Sequence, residues 1–103
     1  LPVSDIDLTS ILSNAVENAC HAVLPLEKEQ RYMSLDMRMR DGKLLICLKN
    51  TFAEKPEIID GVPRSREPGN GFGTQSILYV TEKLHGNCQF AVEEDLFIIR
   101  IIL

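Results

Sequence analysis

A chain of 103 residues supports one hydrophobic core and is too short for two. Its 45% hydrophobic and 25% charged content is that of a globular domain, and a net charge of −4 excludes the basic face that nucleic-acid binding requires. No apolar run reaches the ~20 residues needed to span a bilayer, so no direct membrane contact by this domain is expected.

No signal-peptide pattern opens the chain, and a start at Leu1 instead of Met suggests a piece of something longer. The cysteines, Cys20, Cys47 and Cys88, are odd in number and far apart. With two histidines and no C-x-x-C pair they do not resemble a zinc site. They read as reduced, mostly buried thiols in a cytosolic setting.

The first element is an amphipathic helix over about Leu8 to Leu24. Leu8, Ile11, Leu12, Ala15, Val16, Ala19 and Val23 recur at three- and four-residue spacing. Asp7 is a suitable N-cap, and Pro25 ends the helix by disfavouring helical geometry in its predecessor. Asn14, Glu17, Asn18 and His21 fall within about 100° of one another on the wheel, nearly opposite the apolar stripe.

Met33, Leu35, Met37 and Met39 then alternate with Ser34, Asp36, Arg38 and Arg40, predicting a half-buried strand whose methionines enter the core. Asp41-Gly42 supplies the two positive-φ positions of a tight hairpin. The return strand, Lys43 to about Lys49, is apolar on both faces and reads as central in its sheet.

After Asn50 the sequence "FAEKPEIIDGVPRSREPGNG" shows no convincing period. It is long beside the usual connection of about 4–6 residues and reads as a lid, from about Phe52 to Pro68. That lid is expected to be the most mobile part of the ligand-free domain and to order with ligand. Arg64 and Arg66 are its arginines, suited to bidentate phosphate contacts.

A second helix is expected from Thr74 to about His85, ended by Gly86 in the left-handed conformation. Two strands, "CQFAV" and "LFIIRIIL", close the chain as a hairpin across "EED". Helix, hairpin, long loop, helix and hairpin predict an α+β fold, with helices on one face of a mixed, mainly antiparallel sheet.

Two stretches carry chemistry. Gly69-Asn70-Gly71-Phe72-Gly73 runs into the second helix at Thr74, and alternate glycines let backbone approach an anion at a helix N-terminus. It matches neither the dinucleotide fingerprint nor the P-loop. On the first helix, asparagine carboxamides are neutral hard ligands for Mg²⁺, and Glu17 could hydrogen-bond a metal-bound water.

Together, "ILSNAVENACHA" and "GNGFGTQSILYVTEKLHGN" resemble the N box and G2 box of the GHKL ATPases, the superfamily of gyrase, a heat-shock chaperone, histidine kinases and a mismatch-repair protein. The nearer resemblance is to the catalytic ATP-binding domain of bacterial sensor histidine kinases, over Leu8 to Leu103. It implies a two-layer α/β sandwich of the Bergerat type binding ATP with Mg²⁺. Asn18 corresponds to the Mg²⁺ ligand and Asn14 to its companion. His21 corresponds to a phosphate-contacting cation. Gly69, Gly71, Phe72, Gly73 and Thr74 correspond to the phosphate-facing G2 box.

The family's usual D-x-G-x-G box is missing, and Asn50 stands at that strand end. This resembles the peptide-sensing branch, where an asparagine accepts from the adenine amine without a charge. The resemblance further implies a helical dimerisation domain carrying the phosphoacceptor histidine, a membrane-anchored sensor with this domain in the cytoplasm, and a response regulator. Rival readings are an ATP hydrolase or serine kinase of the superfamily and a degenerate, non-catalytic interaction domain. The hydrolases carry a glutamate base where Asn14 stands, one turn before the metal asparagine.

Overall fold

The computed structural model of the chain describes residues 3–64 and 72–103. Helix α1 spans Asp5–Val23 and helix α2 spans Phe72–Lys83. Strands β1 (Met33–Arg40), β2 (Lys43–Thr51), β5 (Asn87–Glu93) and β6 (Leu96–Ile102) form one sheet in the order β1-β2-β6-β5. Between β2 and α2 a small hairpin joins β3 (Glu57–Ile59) to β4 (Val62–Arg64). Every pair in these sheets is antiparallel.

Helix α1 starts three residues before its expected first residue because its cap is Ser4, not Asp7. The Ser4 hydroxyl accepts from the Asp7 N–H at 3.2 Å and donates to the Asp7 carboxylate at 3.1 Å. Both residue types cap well, and the choice falls on the one whose predecessor, Val3, can bury against the core beside Leu8. At the other end Arg31 reaches back over the proline. Its Nε donates to the carbonyls of Val23 (3.1 Å) and Leu26 (3.0 Å), and its Nη2 to that of Leu24 (2.8 Å). The Val23 and Leu24 carbonyls belong to the helix end, where Val23 also accepts from the Leu26 N–H at 3.0 Å, and Leu26 lies just beyond it.

The core lies between the helices and one sheet face. Leu44, Ile46, Leu48 and Asn50 point to that face from β2, opposite Ile101, Ile99 and Phe97 of β6. Against them pack Ile11, Ala15 and Ala19 of α1 and Ile77 and Val80 of α2. Phe90 and Phe97 stack with ring centroids 6.2 Å apart. The ladder runs to the last residue, since Leu44 and Leu103 exchange both backbone bonds. The arrangement is an α+β two-layer sandwich, with β2 central as its two-sided apolar sequence predicts.

Three expectations are corrected. Met33, Leu35, Met37 and Met39 share the core face of the sheet, yet they are 37–51% exposed. Strand β1 is the sheet edge, and α1 packs chiefly over its neighbour β2. The presumed irregular lid contains the β3–β4 hairpin, whose turn Asp60-Gly61 takes φ of 53° and 78°, like Asp41-Gly42 at 51° and 78°. Strands of three residues are too short for alternation to show. The cysteines are free but not deeply buried: Cys20 is exposed, and Cys47 and Cys88 are half-buried. Burial pushes the Cys88 thiol up from 9.0 to about 12.

Helix α2 ends two residues before His85, and its left-handed residue is His85 (φ 58°), not Gly86. The His85 N–H donates to the Glu82 carbonyl and the Gly86 N–H to that of Thr81, which closes the helix. Gly86 serves the fold by absence of bulk, because a Cβ there would collide with the Ile102 carbonyl oxygen of β6.

Gly86→Ala is therefore expected to lower stability by about 2 kcal/mol in urea unfolding, since backbone must move to admit the methyl group. In alkylation near pH 8, Cys20 is expected to label well before Cys88, whose thiolate is scarce at that pH. Peptide mapping reads the order.

Candidate functional site

The site is built where the first turn of α2 meets the middle of α1. Gly73 lies so close to α1 that a Cβ on it would sit 3.3 Å from the Asn14 carbonyl oxygen. The same Cβ would lie 3.9 Å from the Asn14 side-chain oxygen and 3.9 Å from the Asn18 Cβ. The asparagine pair and Gly73, about 55 residues apart in sequence, are thus one locus. Thr74 is buried beside it. Asn14 and Asn18 are half-buried and flank the apolar stripe, so they face α2 and not open solvent.

The two asparagines are held differently. Asn14 donates its Nδ2 to the Ser10 carbonyl at 2.8 Å, a back-bond one turn up its own helix. That bond turns the Asn14 oxygen toward the α2 seat. Among the described residues the Asn18 carboxamide makes no hydrogen bond, leaving its oxygen available to a ligand. Ser10 was not singled out in the sequence, although its i−4 spacing from Asn14 is the available signal.

Asn50 lies near the end of β2, on the face that the helices cover, and is fully buried. Its Nδ2 donates to the Thr51 carbonyl at 2.9 Å, which fixes the amide. The opposite atom, Oδ1, is buried with no hydrogen-bond partner. Leaving a buried acceptor unpaired costs about 1–3 kcal/mol, so this oxygen is a place where a donor would be welcome.

The neighbouring backbone is stiffly braced. The Thr51 hydroxyl donates to the Gln30 carbonyl at 2.8 Å and accepts from the Tyr32 N–H at 3.0 Å.

The GHKL domain family model matches residues 3–103. The chain belongs to the GHKL family of ATP-binding domains. No curated protein matches it. In this GHKL domain the first turn of α2 meets Asn14 and Asn18 of α1, and the asparagine at the strand end keeps an unmet acceptor.

The other predicted residues that the structure describes are placed as follows. Glu17 and His21 are exposed on α1, with His21 in its last turn. Arg64 is exposed at the end of β4. Phe72 opens α2. Arg66, Gly69 and Gly71 lie outside the described residues, as does most of the lid beyond Arg64.

The donor set present fits a nucleotide with its metal. An unpaired amide oxygen at Asn50 suits an amine donor, and the free carboxamide of Asn18 suits a hard cation that retains most of its waters. Gly73→Ala is expected to leave stability within about 1 kcal/mol, because gained helix propensity offsets crowding against the Asn14 carbonyl. Gly73→Val, with branched bulk at the same seat, is expected to lose about 1–3 kcal/mol by chemical denaturation.

Proposed function

We propose that this chain is the catalytic ATP-binding domain of a two-component sensor histidine kinase, which presents Mg·ATP so that the γ-phosphoryl group passes to a histidine on a separate dimerisation domain. The phosphorylated partner then serves a response regulator. The domain would act in the cytoplasm, as part of a membrane-anchored sensor.

In this reading Asn18 holds the Mg²⁺ through its amide oxygen, while Asn14 supports the same phosphate-metal cluster and Glu17 reaches it through water. The segment Gly69 to Thr74, which runs into the N-terminus of α2, lies along the phosphates, where a helix start presents a positive dipole end. His21, Arg64 and Arg66 supply donors to phosphate oxygens. Asn50 Oδ1 accepts from the adenine amine. The metal, when bound, neutralises charge on the phosphates. The chain's own groups bind and orient the nucleotide.

The observation that carries the kinase reading over ATP hydrolysis is the state of Asn14. A carboxamide whose Nδ2 is committed to the Ser10 carbonyl has no site to take a proton from water. Glu17, exposed three residues on and about 60° round the helix from Asn14, is not at the position from which the superfamily's glutamate base acts, one turn before the metal asparagine. Such a domain holds ATP and waits for an acceptor.

Titration calorimetry tests the nucleotide assignments. Asn18→Ala is expected to remove most of the Mg²⁺ dependence of ATP binding. Asn50→Ala is expected to weaken ATP about tenfold, as for one lost hydrogen bond, and to leave inorganic triphosphate unchanged. Equal losses for both ligands would remove Asn50 from the base site. Steady ATP hydrolysis by the domain alone would overturn the kinase reading. Absence of a thermal shift at millimolar Mg·ATP would favour a degenerate domain, because saturation a hundredfold above Kd adds about 2.7 kcal/mol.

A further inference from the structure

Strand β1 is a sheet edge of eight residues with no proline or bulge to blunt it. Open edges of this kind invite another strand. The Tyr32 carbonyl accepts from the Thr51 N–H, so the even-numbered residues of this segment bond to β2. By the alternation of an antiparallel ladder, the N–H and C=O groups of Met33, Leu35, Met37 and Met39 point away from the sheet. Their side chains form an exposed apolar row on the helix side, which α1 leaves uncovered.

The opposite face carries Asp36 and Arg38, an exposed ion pair at 2.8 Å. We propose that β1 pairs antiparallel with β1 of a second copy of this chain, about a two-fold axis at Met37. In that register the strand is self-complementary with no like charges opposed. With Met37 opposite itself, Asp36 lies opposite Arg38 of the second copy and Arg38 opposite its Asp36. Leu35 lies opposite Met39 on the apolar side.

The backbone agrees with the charges. Outward-pointing Leu35, Met37 and Met39 form the hydrogen-bonded pairs. Asp36 and Arg38 fall at non-hydrogen-bonded positions, where side chains approach most closely. Of the two neighbouring registers that preserve hydrogen bonding, one sets Asp36 against Asp36 and Arg38 against Ser34, and the other pairs Asp36 with Arg40 but sets Arg38 against Arg38, so only the Met37 register pairs opposite charges with no like charges face to face. Like charges directly opposite are destabilising, so the charge pattern selects the register. The row of methionines then becomes one apolar strip shared by two sheets, which accounts for its exposure in the single chain.

Sedimentation of the chain from micromolar to millimolar concentration is the test. A monomer–dimer equilibrium is expected. Asp36→Lys, which sets lysine opposite Arg38 twice by symmetry, is expected to weaken dimerisation about tenfold. The double variant Asp36→Lys with Arg38→Glu restores opposite charges and is expected to recover the dimer to within about threefold. Met37→Lys places two cations on the axis and is expected to give monomer. All three positions are exposed, and circular dichroism checks that each variant is folded. A monomer throughout, a species larger than a dimer, or a dimer indifferent to these changes would each overturn the proposal.

Discussion

The close seat of α2 on α1 is the contact on which the rest of the molecule depends. A Cβ on Gly73 would lie 3.3 Å from the Asn14 carbonyl oxygen, and small residues continue the approach at the buried Ala15 and Ala19. Because the helices come this near, Ile77 and Val80 can share one core with Ile11 and the β2 row. The far ends are matched as well, for Lys83 meets Asp7 at 3.2 Å. That pair is partly solvated and worth little by itself, but it marks the antiparallel alignment. The packing that closes the core therefore also assembles the polar site, and a substitution that separates the helices damages both.

A second constraint sets the strand end against the helix end. Arg31 grips three carbonyls at the end of α1. The residues on either side of it, Gln30 and Tyr32, are hydrogen-bonded to Thr51, the neighbour of Asn50. The C-terminus of α1 and the end of β2 are joined by bonds within one short segment. The spacing between Asn50 and the asparagines of α1 is accordingly a property of the rigid frame, which suits recognition of a ligand of fixed length.

Much of this could be read from the sequence, and the exceptions have physical reasons. The period of α1, the Asp41-Gly42 hairpin and the central place of β2 follow from local pattern. The spacing of Asn14 and Asn18 and the glycines before α2 pointed to the family. What pattern cannot supply is the third dimension. Alternation told which way Met33 to Met39 face, but not that no helix would cover them. Ser4 and Asp7 were equally good caps until Val3 found the core. The Asp60-Gly61 hairpin carried the same dipeptide signal as the first one, masked by strands too short to alternate. Arg31 acts through a long side chain whose targets only tertiary structure defines. Asn50 was visible as a substitute at a strand end, whereas its unpaired oxygen depends on what surrounds it.

That oxygen has an evolutionary consequence. A buried acceptor without a donor makes the empty domain less stable than one with an apolar side chain at the same place, by an amount comparable with an ordinary destabilising mutation. Selection for folding alone would drift this position toward leucine or valine. In the nucleotide-binding reading proposed above, the ligand's amine supplies the missing donor and offsets that cost. In a lineage released from nucleotide binding, position 50 should be among the first to change.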